Sequence, residues 1–253
     1  MEPLTLDRER SIWQIIGETL VLYRRYPLLF LVLALAVIAP YQLFVLAVTG
    51  AGPFAHSAHR SFATTQLLSL VSFSLVGPLI SALHIHAVVL AGEGQTPRLL
   101  TVARRGLRVL PVAAAAEIVA NIGISIGILA LAVPGLILLV RWGVVAQAAA
   151  IDHDGWMDAL GRSWKLTSRN FWRISVLFML SGGVGLAVHF GAAAIPLGNT
   201  SDVGSVVFGI AVDTVVASVF ALILAFLYFD LRARETNPHR RPIHEYQHVR
   251  DLD

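Results

Sequence analysis

Cysteine is absent from the 253 residues, which removes disulfides, thiolate zinc sites and a cysteine nucleophile. Lysine is almost absent, with Lys165 the single copy among 19 basic residues. Charge of either sign is scarce. Charged residues make up 14% of the chain, against roughly a quarter in soluble domains. Hydrophobic residues make up 56%, and the mean hydropathy is +0.71. An ordinary soluble domain is excluded on these grounds. A pI near 9.7 would by itself suggest nucleic acid. Here the positive charge is interleaved with long apolar runs rather than gathered on one face, so no nucleic-acid partner is expected. A signal peptide is not expected either, because the first apolar run starts only near Leu28, behind a polar amphipathic stretch.

What is present is a pattern of arginines. Seventeen of the 19 basic residues fall in four blocks. The blocks hold Arg8, Arg10, Arg24 and Arg25; Arg98, Arg104, Arg105 and Arg108; Arg162, Lys165, Arg169 and Arg173; and Arg232, Arg234, Arg240, Arg241 and Arg250. Arg60 and Arg141 stand outside them. Between the blocks lie apolar runs long enough to cross a bilayer, which takes about 20 residues each. The expected spans are 28–50, 63–92, 109–132, 135–151, 174–197 and 203–229. Residues 109–151 form one apolar stretch that, as a single helix, would be about 65 Å long, so it must fold back. Val133-Pro134-Gly135 is the expected turn. Basic residues near span ends stay on the cytoplasmic side. The expected fold is therefore all-α, with six transmembrane helices over 28–230, an amphipathic N-terminal segment 1–27, a polar tail 231–253, and both termini cytoplasmic.

The basic blocks also show helical apolar periodicity, which predicts interfacial amphipathic helices over 11–25, 96–108 and 154–169. Ser11 followed by Gln14 reads as a capping box. Trp156, Leu160 and Trp164 share one face of the third helix, and Leu99, Leu100, Ala103 and Leu107 one face of the second. The chain then reads three times as surface helix, span, outer turn, span. Arg24, Arg25, Arg104, Arg105, Arg162, Lys165 and Arg169 are candidates for contact with anionic lipid headgroups.

Ionisable groups within spans are costly and mark candidate sites. Arg141, Asp213 and Glu117 are such groups, as are His84, His86 and His189. By depth, Arg141 and Asp213 are expected to form an ion pair, either fixing helix packing or serving a substrate or proton. Gly123-Ile124-Ser125-Ile126-Gly127 matches G-x-S-x-G, but in an apolar helical run small residues serve close packing. The hydrolase alternative would pair Ser125 with His189. The Gly182-Gly183-x-Gly185 stretch and Ala146, Ala148, Ala149 and Ala150 likewise read as close-packing surfaces. His244-Glu245-x-x-His248 matches H-E-x-x-H. It sits in a polar, proline-broken tail without helical periodicity, so no metal site and no cofactor are expected.

One stretch carries a resemblance. Pro134-Gly135, Val140-Arg141, then Asp158-Ala159-Leu160-Gly161-Arg162-Ser163-Trp164-Lys165-Leu166-Thr167, then Asn170-Phe171-Trp172-Arg173 resembles the bacterial glycerophosphoryl diester phosphodiesterase membrane-domain family and related six-span families. Pro134, Gly135, Ser163, Trp164, Trp172 and Arg173 carry the motif. Members often have a Glu at the end of span four, where this chain has Asp152-His153-Asp154. In the proteins that name the family, a separate catalytic barrel follows the membrane region. Here 23 residues follow Asp230, so no barrel is expected. The resemblance implies a bacterial-type plasma-membrane protein without its own catalytic site. A scaffold or accessory working beside lipids or a protein partner is the expected role. The alternative is a transporter or lipid translocase, which would need Arg141, Asp213, Glu117 or Asn121 around one mid-membrane cavity.

Overall fold

A computed structural model describes residues 5–6, 8–50, 61–152, 155–195 and 203–236. The H-E-x-x-H tail, the 51–60 connection and the 196–202 connection lie outside the described residues. The chain is all-α, with no strand among the described residues. Six segments are long and apolar enough to cross a membrane: Pro27–Thr49, Ala63–Gly92, Leu99–Ala130, Ala132–Asp152, Phe171–Ala193 and Val203–Thr236. It is a multi-pass membrane protein.

Helix α1 (Ile12–Arg25) starts at a full capping box between Ser11 and Gln14, which satisfies two of the otherwise orphaned N-terminal donors. It buries Ile15, Thr19 and Leu22 and leaves Trp13 and Val21 exposed. Tyr26 breaks it from α2 (Pro27–Thr49), where Pro27 is tolerated because the first helical turn needs no N–H. The second span has three parts: α3 (Phe62–Val71), a π turn (Ser72–Val76) and α4 (Gly77–Gly92). The π turn has a local cause. Pro78 lacks an N–H, and just before it the Gly77 N–H bonds the Ser72 carbonyl five residues back.

The second basic block does not form a separate surface helix at 96–108. It is the first third of α5 (Leu99–Ala130), a continuous helix with Pro111 inside it. No glycine or capping residue interrupts the apolar spacing between Arg108 and Val112, so one helix costs less than two unsatisfied ends. The hairpin to α6 (Ala132–Arg141) also differs from the expected turn. The chain reverses at Leu131, which is extended, and Pro134 and Gly135 sit in the first turn of α6. Gly135 is required there: a Cβ at this position would stand 2.5 Å from the Ile128 backbone nitrogen. Gly127 meets Gly135 in the same way, with Cα 2.9 Å from its own would-be Cβ. The G-x-S-x-G stretch is therefore a packing surface, and Ser125 itself is exposed.

The fourth span is broken. A turn over Trp142-Gly143-Val144 separates α6 from α7 (Val145–Asp152). Ala146, Ala148, Ala149 and Ala150 are buried, as close-packing surfaces should be. Helix α8 (Trp156–Ser168) is the expected separate amphipathic helix. Helices α9 (Phe171–Ala193) and α10 (Val203–Thr236) complete the bundle. Along α9, Gly182 and Gly183 have no neighbour within 4 Å of a would-be Cβ. These two glycines are not the close-packing surface expected of them, because α9 buries only Ile174, Leu177 and Ala192.

The core is concentrated towards one end. Residues Ile80–Val88 of α4 and Ala221–Leu231 of α10 are almost wholly buried, together with Val102, Val109 and Ala113 of α5 and most of α7. Both α5 and α10 exceed 30 residues, about 50 Å at helical rise, well beyond a hydrocarbon core of about 30 Å. Their surplus turns overhang together at the end that carries the basic blocks.

Candidate binding site: a basic cavity at one end of the bundle

The arginines at the basic end fall into two sets. The first set is paired. Asp230, on α10 and fully buried, accepts from the Arg10 backbone N–H, from Arg173, and from Arg234 Nε at 3.1 Å. Arg173 and Arg234 also donate to the Arg10 carbonyl, Arg234 at 2.9 Å. The Arg10 side chain is fully enclosed. Its guanidinium donates to Glu18 at 2.9 Å, to the Leu6 and Arg8 carbonyls at 2.8 and 3.1 Å, and to the Thr5 carbonyl at 2.6 Å. It also lies over the Phe226 ring. One arginine thus wraps the N-terminal segment against α1 and α10. A second knot joins Arg162 to Asp152 at 3.2 Å and to Glu235 at 2.6 Å, with Lys165 on Glu235 at 3.0 Å. Tyr228 donates to Asp152 at 3.0 Å. Burial alone would lower the Arg162 pKa. The Glu235 hydrogen bond and the charges of Glu235 and Asp152 outweigh it and hold the guanidinium above its ordinary value.

The second set lines a cavity of about 620 Å³ between the ends of α4, α5, α7 and α10. Arg105 and Arg108 enter it from α5 and Arg232 from α10; Glu93 and His86 come from the α4 side. Val89, Val109, Ile151 and Phe229 give it an apolar floor, and Leu6 closes one wall. Leu6 reaches that place because position 92 is glycine: a Cβ there would meet Leu6 Cδ1 at 2.6 Å. Among the described residues, Arg105, Arg108 and Arg232 make no side-chain hydrogen bond or ion pair. Of these three, only Arg105 belongs to the headgroup candidates named from sequence. Arg108 and Arg232 were legible as basic-block members, but only the fold brings all three to the lining of one cavity. Arg24, Arg104 and Arg169 are exposed, as surface lipid contacts would be, and so are the cavity-lining Arg105 and Arg108, whereas Arg232 is half-buried. Arg25 is exposed as well, with its guanidinium over the Tyr26 ring.

The intramembrane charges do not share a site. Arg141 and Asp213 form no ion pair. Asp213 is held by His189 Nε2 at 2.7 Å and by the Gln42 amide, between α2, α9 and α10. Arg141 ends α6, and its guanidinium turns the other way, 5.1 Å from the Trp164 ring centroid and 5.9 Å from that of Phe171. Its Nε and Nη1 are buried without a hydrogen-bond partner. Glu117 is bonded by Asn121 one turn along α5, at 3.3 Å. A cavity joining Arg141, Asp213, Glu117 and Asn121 is therefore absent among the described residues. No hydrogen bond joins Ser125 to His189 among them either.

The motif residues instead converge on the broken span. Ser163 donates to the Arg141 carbonyl at 2.9 Å and Thr167 to the same oxygen at 3.1 Å. Both come from α8. At the α6–α7 break that carbonyl has lost its helical partner, and the two hydroxyls replace it. Trp164 and Phe171 cover the guanidinium of the same residue. Arg173 reaches Asp230, so the F-W-R stretch ties α9 to α10. Trp172 is 80% exposed and lies outside these contacts, placed as an interfacial anchor would be.

A family model described as a domain of unknown function (DUF7847) matches residues 85–231, more than half of the chain. The match runs from the last turns of α4 through the buried end of α10 and takes in most of the cavity lining, with Arg173 and Asp230 of the first knot and Asp152, Arg162, Lys165 and Tyr228 of the second; Arg10, Arg232, Arg234 and Glu235 lie outside it. No curated protein and no solved structure matches the chain.

Proposed function

We propose, for a chain that belongs to the DUF7847 family, a non-catalytic role as a lipid-associated accessory or scaffold of the plasma membrane. Its basic end faces the cytoplasm and holds anionic headgroups. The observation that carries this reading is the division of the arginines. The paired set fastens the helices to one another. The unpaired set, Arg105, Arg108 and Arg232, lines a cavity at the same end. Among the described residues these guanidiniums have no ion pair to break before meeting a phosphate, and the plane of five donors suits phosphate oxygens. The anionic inner leaflet attracts such clusters, at about 1 kcal/mol per basic residue near the surface. The resemblance to membrane regions that accompany phosphodiesterase barrels supports work beside lipids or a lipid enzyme.

The test is thermal unfolding of the purified protein in nanodiscs of phosphatidylcholine with and without an anionic phospholipid. The melting temperature is expected to rise with anionic content and to lose that rise at high salt, as screened surface charge requires. Equal melting in neutral and anionic discs contradicts the reading.

A further inference from the structure

We propose that the basic cavity is a discrete site for one phosphate monoester, held by Arg105, Arg108 and Arg232. The inference rests on the headgroup-binding reading above and narrows it to one ligand class.

Charge comes first. Three guanidiniums and the Glu93 carboxylate leave the cavity with two net positive charges. A phosphate monoester carries about −1.5 to −2 at neutral pH, which neutralises it. A phosphodiester brings a single charge and leaves the cavity electropositive. Geometry comes second. Arg105 and Arg108 are three residues apart on α5 and so share a helix face, while Arg232 approaches from α10. The two helices present donors from different directions, as a tetrahedral group with three terminal oxygens requires. A diester has only two such oxygens. Size comes third. A volume of about 620 Å³ lies within the range of small-molecule sites and exceeds what a bare phosphate fills. The Val89, Val109 and Phe229 floor takes the apolar or glycerol part of the ester. Glu93, on the α4 side, repels any anion and a dianion most, so the preference for the monoester comes from the three arginines, whose attraction grows with ligand charge. The phosphate monoester can belong to a lipid (phosphatidic acid) or to a soluble ester.

The experiment uses the full chain in detergent. Binding of short-chain phosphatidic acid, phosphatidylglycerol and phosphatidylcholine is measured by native mass spectrometry, with inorganic phosphate as competitor. The expected result is one saturable site that prefers phosphatidic acid over phosphatidylglycerol. Arg108→Gln should weaken phosphatidic acid about tenfold, the loss of one charge-assisted contact. The triple Arg105→Gln, Arg108→Gln, Arg232→Gln should abolish it. Glu93→Gln removes that repulsion and should tighten phosphatidic acid more than phosphatidylglycerol, widening the preference. Gly182→Ala, on α9 and outside the cavity lining, should change nothing at this site. Competition by millimolar inorganic phosphate assigns a soluble ester, and its failure to compete assigns the lipid; both keep the monoester class. Equal binding of the monoester and diester lipids overturns the proposal, as does retention of the preference in Arg108→Gln. If anionic lipids still stabilise the protein in that case, the broader reading survives. If no anionic lipid binds or stabilises, both fall. Should the triple variant not fold, Arg108→Gln and Glu93→Gln decide alone.

Discussion

Asp230 accepts hydrogen bonds from three arginines on three parts of the chain, the segment before α1, α9 and α10. Removing its charge leaves the Arg173 guanidinium without its carboxylate and Arg234 with Glu9 alone, at 3.1 Å. Asp230→Asn is expected to cost about 3–5 kcal/mol, seen as a large drop in melting temperature in detergent. An unchanged melting temperature would show that the knot is dispensable. Glycines give a sharper contrast. Gly135→Ala forces a methyl against the Ile128 backbone and should destabilise by about 1–3 kcal/mol. Gly182→Ala meets open space in mid-helix and should be neutral or stabilise by up to about 1 kcal/mol. Thermal melts of the two variants check both. At this scale the sequence was informative about kind and poor about partner. Buried charges were recognisable as special, because hydrocarbon penalises them. Which opposite charge each would meet depends on where its helix turns, and linear spacing does not encode that.

The elements show where that gap arises. Depth counting paired Arg141 with Asp213 on the assumption that span four is one straight helix. The Trp142–Val144 turn ends α6 at Arg141 and sends the side chain to α8 and α9, while Asp213 faces α2 and α9. A double-mutant cycle separates the two arrangements. Arg141→Ala and Asp213→Asn should be additive within about 0.5 kcal/mol, whereas His189→Ala and Asp213→Asn should couple by about 0.5–3 kcal/mol. Coupling of the first pair would restore the pairing read from depth. The break itself depends on two hydroxyls. Ser163→Ala with Thr167→Val leaves the Arg141 carbonyl unsatisfied and should cost about 1–3 kcal/mol, with faster amide exchange confined to the α6–α8 contact. Exchange unchanged there would show that the hydroxyls do not pin the break. The S-W-x-L-T segment was legible as a motif. Its task of capping an interrupted span was not, since the apolar run through Val144 gives no sign of a break. Boundaries set by composition fared well: α1 starts at its capping box and α8 stands apart. The 96–108 surface helix failed because Pro111, which could have ended it, is accommodated inside α5.

For the whole molecule, the two longest helices overhang at the same end, and that overhang builds the cavity. Six spans followed from hydropathy alone, since crossing a bilayer needs a long apolar run and little else. The convergence of Arg105, Arg108 and Arg232 did not, because it requires knowing that the start of α5 and the end of α10, both packed on α4, border one cavity. Everything assigned to the basic end presumes that its connections lie on one side of the membrane, opposite the poorly charged ones. The natural absence of cysteine makes this directly measurable. Gln95→Cys and Asn199→Cys place single thiols in a basic connection and in an uncharged-to-acidic one. With a membrane-impermeant maleimide, the account predicts that intact cells label Asn199→Cys, whereas Gln95→Cys is labelled only after permeabilisation. Labelling of both from the same side contradicts it.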